Sequence, residues 1–300
     1  MTAVPSWLWA AFTLTAAGGQ TLRNALQRDL TDTLGAAGAT FVRFLFGLPF
    51  SFAFLAAACV FFDALPPAPN ARALGLIALA SLAQVAATGL MLVSMRERSF
   101  VITTALMKTE AMQIVAFGLV FMGDSVTWPI ALAVLSATLG VLAVSLPSGA
   151  IGGATWRSAG YGLASAAAFA VSTVGFREGV LALGGPSFVT AAASELTIGL
   201  VLQTALILLY LGVFDRKGLA AIAAHWRPSL SAGLLGAFAT LFWFLAFAIE
   251  TAPRVRTLAL VEVVFAQIVT RRMFAQTTSA REWLGMAMIV AGVAGALNGG

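Results

Sequence analysis

Ten apolar runs separated by short polar breaks take up most of this chain, and runs of that length leave few folds open. They cover about residues 7–25, 34–62, 71–95, 100–121, 127–146, 157–180, 186–213, 229–249, 255–275 and 281–298. A helix needs ~20 apolar residues to cross a hydrocarbon core ~30 Å thick, and each run meets or approaches that length. The alternating ten-residue segments of a membrane barrel are absent. With 60% hydrophobic and 10% charged residues and a mean hydropathy of +0.95, too few polar side chains remain to cover a soluble globule. The expected fold class is an all-α integral membrane protein of ten transmembrane helices. The start MTAVPSW has no basic n-region or small-residue cleavage site, so the first run is expected to be retained. The breakers between runs are explicit: LPPAPN at 65–70, PSGAIGG at 147–153 and GGPS at 184–187.

The same residues exclude several functions. A net charge of +5 and a pI near 10.3 would suit nucleic acid, but the basic residues stand singly or in pairs between apolar runs. They read as topology signals and contacts to the lipid bilayer, so no nucleic-acid partner is expected. One cysteine, Cys59, and one histidine, His225, exclude an intrachain disulfide and a Cys/His metal cluster. No GxxxxGK[ST] loop is present, so a built-in ATP motor has no support, and neither catalytic residues nor cofactors are expected.

PSGAIGG lies at the middle of the chain, which invites a test for duplication. An offset of 152 places Gly47-Leu48 on Gly199-Leu200, Ala87-Thr88 on Ala239-Thr240, Glu110 on Glu262 and Gly140-Val141 on Gly292-Val293. It also superposes most of the runs and sets Arg43 on Glu195. Two five-helix repeats, 1–148 and 155–300, are therefore expected. Because five is odd, the copies enter the membrane in opposite orientations, as in the inverted repeats of secondary transporters. Eleven basic residues fall in loops after odd-numbered runs (Arg23, Arg28, Arg96, Arg98, Arg157, Arg216, Lys217, Arg227, Arg271, Arg272 and Arg281). Only four (Arg72, Arg177, Arg254 and Arg256) fall on the other side. The positive-inside rule then puts both termini outside the cell membrane.

The closing segment REWLGMAMIVAGVAGAL at 281–297, Gly123-Asp124 at the end of the fourth run and Arg43-Phe44 in the second resemble the drug/metabolite transporter superfamily in its EamA-type ten-helix branch. Within the branch the chain is most similar to the YddG-like aromatic amino-acid exporters. It departs from the pattern after the ninth run, where FAQTTSA stands in place of a Gly-acid pair. The resemblance implies ten helices from two inverted repeats around a central cavity. Helices one, three, four, six, eight and nine would line it, with five and ten at the periphery. It further implies an inner-membrane exporter.

Charges inside the runs are the first candidates for chemistry, because a charge at the bilayer centre costs at least ~3 kcal/mol and so usually faces protein or water. The fourth run, FVITTALMKTEAMQIVAFGLVF, carries Lys108 and Glu110 near its middle. On one continuous helix these two would point about 200° apart and could not share a cavity. Glu110 has a repeat partner in Glu262 and reads as part of a gating or coupling pair. Lys108 falls on Leu260 and has no such partner. It suits the carboxylate of a substrate, or alternatively it is satisfied by carbonyls or a neighbouring acid. Arg43 and Glu195 are a second gating or coupling pair, read either as a static tie or as one that breaks and re-forms. Glu195 and Glu262 are also candidate proton carriers, since intramembrane carboxyls mark proton relays.

Further substrate contacts are read from polar and aromatic residues on the implied cavity helices: Phe12 and Gln20 on the first, Ser81, Gln84, Thr88 and Met91 on the third, and Trp243 deep within the eighth. Ser81, Gln84 and Thr88 share one helix face. The plainer alternative for each is helix packing or lipid contact. In the last run, Ala287, Ala291 and Gly295 read as a small-xxx-small packing row. The leading function is a secondary active or facilitative exporter of aromatic or hydrophobic amino acids and related amphipathic metabolites, working as a monomer. The rivals are a multidrug exporter of hydrophobic cations and a membrane scaffold that moves nothing.

Overall fold

A computed structural model describes residues 5–97, 106–117, 127–145, 156–261, 263–264 and 279–298. Among them every regular element is helical. Five stretches are long and apolar enough to cross a bilayer: Leu30–Phe62, Ala71–Ser94, Ala159–Leu183, Phe188–Phe214 and Trp226–Ile249. The chain is an all-α membrane protein. In chain order the helices are α1 (Leu8–Leu45), α2 (Leu48–Phe62), α3 (Ala71–Glu97), α4 (Glu110–Phe117), α5 (Trp128–Ser145), α6 (Trp156–Leu183), α7 (Phe188–Phe214), α8 (Arg216–Ala224), α9 (Trp226–Ile249), α10 (Ala252–Ala259) and α11 (Ala280–Asn298).

Helix ends fall where the sequence places breakers. Asn70, closing LPPAPN, accepts from the Ala73 N–H at 2.8 Å, and its amide donates to the Ala182 carbonyl at 2.7 Å. In GGPS, Gly184 and Gly185 take positive φ of 58° and 106°, which lets the chain leave α6, and the Ser187 hydroxyl caps α7 by accepting from Val189 N–H.

Two boundaries differ from expectation. The first run was read as ending near residue 25, yet α1 stays helical until Gly35, where φ is 68°. The intervening RNALQRDLTDTL contains no glycine or proline to stop it. Arg23 consequently lies inside a helix and is buried, so it is not a loop charge. The fourth run was read as one helix, but its described part is interrupted: Leu106 and Met107 are helical, Lys108 and Thr109 form a turn, and α4 begins at Glu110. Thr109 makes the interruption. Its N–H and its hydroxyl both donate to the Leu106 carbonyl, at 3.1 and 2.6 Å, and its own carbonyl accepts from Gln113 N–H. A side chain competing for backbone carbonyls in this way is how threonine disrupts a helix. The expectation that Lys108 and Glu110 point 200° apart presumed a continuous helix, which the chain does not have there. A second interruption follows α10 at Leu260, whose N–H bonds back to the Thr257 carbonyl at 3.1 Å.

The chain divides into two compact units, each drawing on both halves of the sequence. The first comprises Met1–Val85 and Gly175–Glu250, the second Ala86–Val174 and Thr251–Gly300, so α3 and α6 contribute residues to both. In the first unit α1 packs on α9, and α2 on α7. A Cβ at Gly233 would stand 2.5 Å from the Phe46 carbonyl oxygen, and one at Gly199 would stand 3.3 Å from the Phe176 ring. Between helices in lipid there is no hydrophobic drive, so such close backbone approach carries the association.

In the second unit α5 packs along α11. A Cβ at Gly140 would meet the Gly285 carbonyl oxygen at 2.5 Å and the Ile289 nitrogen at 2.8 Å. One at Gly292 would meet the carbonyl of Ala133 and the nitrogen of Ala137. These are the same contacts with the two helices exchanged, at the spacing of 152 that also separates Ser136 from Met288, whose carbonyl accepts the Ser136 hydroxyl at 3.1 Å. The packing row on α11 therefore runs through Gly285, Ile289 and Gly292; of the three residues expected in it, Gly295 does face α5, with its Cβ position 3.1 Å from the Ala133 Cβ, whereas Ala287 and Ala291 are exposed.

Candidate functional site

Both units hold polar side chains within largely apolar helices. In the second unit, α4 starts on Glu110, whose carboxylate at the first turn suits the positive end of the helix. The Thr173 hydroxyl on α6 donates to Glu110 Oε1 at 2.7 Å. Arg256 on α10 donates from Nη2 to Thr173 Oγ1 at 2.9 Å and sets its Nε 3.4 Å from the same carboxylate oxygen. Both charged side chains are about one-fifth exposed, at 19% and 18%. Three helices are thus held at one carboxylate. Lys108, partly buried, occupies the turn two residues before it. Arg254, six residues before the break at Leu260, donates to the Ala296 carbonyl near the end of α11 at 2.8 Å.

In the first unit, Arg43, Phe44, Gln84, Phe176, Gln203 and Phe244 line a cleft, closed on further sides by Leu196, Gly199, Leu200, Gly236 and Thr240. Gln203 Nε2 donates to Gln84 Oε1 at 2.6 Å, joining α7 to α3. The Arg43 guanidinium lies 4.3 Å over the Phe44 ring. Rings of Phe176 and Phe244 meet at 4.8 Å. The cleft is narrow, with room for about one water-sized group at its centre.

Glu195, one residue before Leu196 of that lining, turns elsewhere. It is fully buried, and its Oε1 lies 2.5 Å from where a Cβ would stand on Gly179, with the Val180 amide facing it. Among the described residues no salt bridge reaches Glu195, and neither oxygen accepts a hydrogen bond of ordinary geometry. Arg43 and Glu195, read from the sequence as a pair, are not joined.

The structure brings together only part of the residues singled out in the sequence. Arg43 and Gln84 share the cleft, and Ser81, wholly buried, lies near its Gly199 wall. Trp243 is buried and stacked on Phe247 at 6.3 Å, outside that lining. Phe12 packs edge-on against Phe242 at 5.8 Å, and Gln20 is partly exposed on α1. Thr88, fully buried, and Met91 belong to the second unit with Lys108 and Glu110. Glu262 and Gly123-Asp124 lie outside the described residues. Sequence reading missed Arg256, counted as a loop charge, and Gln203. Their signal was available, since each is a polar side chain within or beside an apolar run.

No family model matches the chain, and no curated protein sequence matches it. Among solved structures, 24 chains match. One of them, a crystal structure of a protein, is 16% identical, with a TM-score of 0.66 over 97% of this chain and 99% of its own. That likeness concerns the fold alone.

Proposed function

We propose that this protein is a transporter working by alternating access, an exporter of aromatic or hydrophobic amino acids and related amphipathic metabolites. The observation that carries the reading is the pair of interruptions at Lys108–Thr109 and at Leu260, which fall at the same place when the halves are offset by 152. Backbone broken within a membrane-spanning segment is tolerated only where protein buries it or a water-filled cavity wets it. Interrupted segments at corresponding positions of two halves point to the binding site of secondary transporters. Lys108 in the first interruption would meet the anionic group of a substrate, and the Glu110–Thr173–Arg256 cluster would hold the adjoining helix ends. The exchanged contacts of Gly140 and Gly292 support a duplication into two five-helix repeats, and the inverted arrangement follows from the odd number of helices in each. With Arg23 and Arg256 set aside as helix residues, the remaining charges between runs still gather on one side and support both termini outside.

Counterflow in sealed vesicles tests the reading. Amino-acid flux into vesicles holding wild-type protein is expected, and its loss in Lys108→Gln with the folded protein retained. Unchanged flux in that variant would remove Lys108 from the mechanism. Displacement by lipophilic cations in place of amino acids would favour the multidrug exporter, and a vesicle that moves nothing would favour the scaffold. A C-terminal reporter active only in the cytoplasm would reverse the orientation.

A further inference from the structure

We infer that α8, with the first turn of α9, is a docking face for the headgroups of anionic phospholipids. The surface belongs wholly to the first unit, and transport is not needed for it to work. α7 and α9 are both long and apolar enough to cross the membrane, and only residues 215–225 join them. A helix of nine residues is ~14 Å long, less than half the thickness of a bilayer core, so α8 stays at the face where the two spans end. Its two sides differ. Ile222 is buried toward α1, its Cγ1 3.7 Å from where a Cβ would stand on Gly38, and the helix rests on α1, α7 and α9. Arg216 and Lys217 are exposed, as is Arg227 just beyond, in the first turn of α9.

Positive charge and apolar surface meet at this face. Between Phe214 and Pro228 the chain carries three cations, Arg216, Lys217 and Arg227, against one acid, Asp215. Asp215 is committed to the fold, since its Oδ1 accepts the Gly218 N–H at 2.9 Å and so caps α8. Among the described residues none of the three cations forms a salt bridge. Arg216 is anchored along α7 by its Nε, which donates to the Gly212 carbonyl at 2.8 Å, and the Arg227 guanidinium lies 5.4 Å from the Trp226 ring. Large rings stand beside these charges. Tyr210 and Phe214 at the end of α7 meet at 5.5 Å, and both are exposed, as is Trp226. Exposed aromatic rings at the ends of membrane spans sit at headgroup level. A free phosphate ion would use the cations and leave the rings idle. A phospholipid uses both, with its headgroup on the cations and its upper acyl chain against the rings, and this decides for lipid.

The test uses the purified full chain in mixed micelles holding phosphatidylglycerol and phosphatidylcholine in equal amounts, with bound lipids counted by native mass spectrometry. A cation beside an anionic lipid surface gains roughly fivefold in affinity, so wild type is expected to retain phosphatidylglycerol about tenfold or more over phosphatidylcholine. The triple variant Arg216→Gln/Lys217→Gln/Arg227→Gln, shown to be folded by circular dichroism, should bring the ratio close to one, and each single variant should lower it in part. Arg72→Gln, which removes an exposed cation at the start of α3, should leave it unchanged. Excess inorganic phosphate should displace little of the lipid. Equal retention of the two lipids by wild type, a preference that survives the triple variant, one lost as fully in Arg72→Gln, or complete displacement by inorganic phosphate each overturns the inference. None of these outcomes depends on flux, so the Lys108 reading stands or falls separately.

Discussion

Glu110 and Glu195 are both carboxylates within apolar runs, and the two units give them opposite surroundings. In the second unit Glu110 has a cation, Arg256, and a hydroxyl, Thr173, and stays about one-fifth exposed. In the first, Glu195 is fully buried on Gly179, and no salt bridge reaches it among the described residues. Two arginines of the first unit, Arg43 and Arg23, pass close to Gly236 instead. A carboxylate that is paired and hydrogen-bonded ties helices together, and removing its cation strands a charge. A carboxyl group packed against glycine without a cation contributes through its shape. The comparison therefore separates a structural clasp from a site of close packing.

The largest expected effect breaks that comparison at the clasp. Loss of one partner of a buried pair costs ~3–5 kcal/mol, and partial exposure at Glu110 brings Arg256→Met down to about 2 kcal/mol. Thermal unfolding in detergent should show it as a clear drop in midpoint. Glu195→Gln, which keeps the shape and removes the charge, should shift stability by less than about 1 kcal/mol. Equal losses from the two substitutions would erase the distinction between the acids.

The next effect probes the packing of Glu195 directly. A Cβ at Gly179 would stand 2.5 Å from Glu195 Oε1 and 2.9 Å from Ile77 Cγ1, both held in a buried core. Overpacking of this kind costs ~1–3 kcal/mol, so Gly179→Ala should lower the midpoint, and Glu195→Ala added to it should recover part of the loss. Gly75→Ala is the control, because no atom lies within 4 Å of its Cβ position. If the two alanine variants behave alike, the contact of Glu195 with Gly179 is not what the structure makes of it.

Much of this was legible in the sequence, for identifiable reasons. Run length and hydropathy disclose membrane helices because a bilayer punishes polar backbone uniformly, and Asn70, Gly184 and Ser187 disclose helix ends because their local chemistry suits nothing else. The interruption at Lys108–Thr109 was not legible, since no glycine or proline announces it and threonine sits in many unbroken helices. Arg256 was misread because it stands at the edge of an apolar run, where loop charges also stand. On α11 a spacing of four pointed to Ala287 and Ala291, but which face packs is decided by the partner. Gly140 brings its backbone against Gly285, and Ala133 and Ala137 bring theirs against Gly292, so closely that neither glycine has room for a Cβ. Arg43 and Gln84 could be picked out as polar intruders, whereas their meeting with Gln203 depends on how α7 packs beside α3.

The smallest effect concerns the second unit alone and bears on how it is tied. Ser136 on α5 and Met288 on α11 are 152 residues apart, and the serine hydroxyl donates to the methionine carbonyl at 3.1 Å. Interhelical hydrogen bonds within membranes average ~0.6 kcal/mol, and Ser136→Ala should cost about that. The cost stays low for a geometrical reason. A carbonyl inside α11 already accepts the N–H four residues on, so removing the serine leaves no orphaned acceptor. The glycine contacts on either side keep the helices in register. A loss comparable with that of Arg256→Met would mean that the serine, and not the close backbone approach at Gly140 and Gly292, holds α5 to α11. The second unit would then depend on polar ties throughout, and its contrast with the close-packed carboxylate of the first unit would sharpen accordingly.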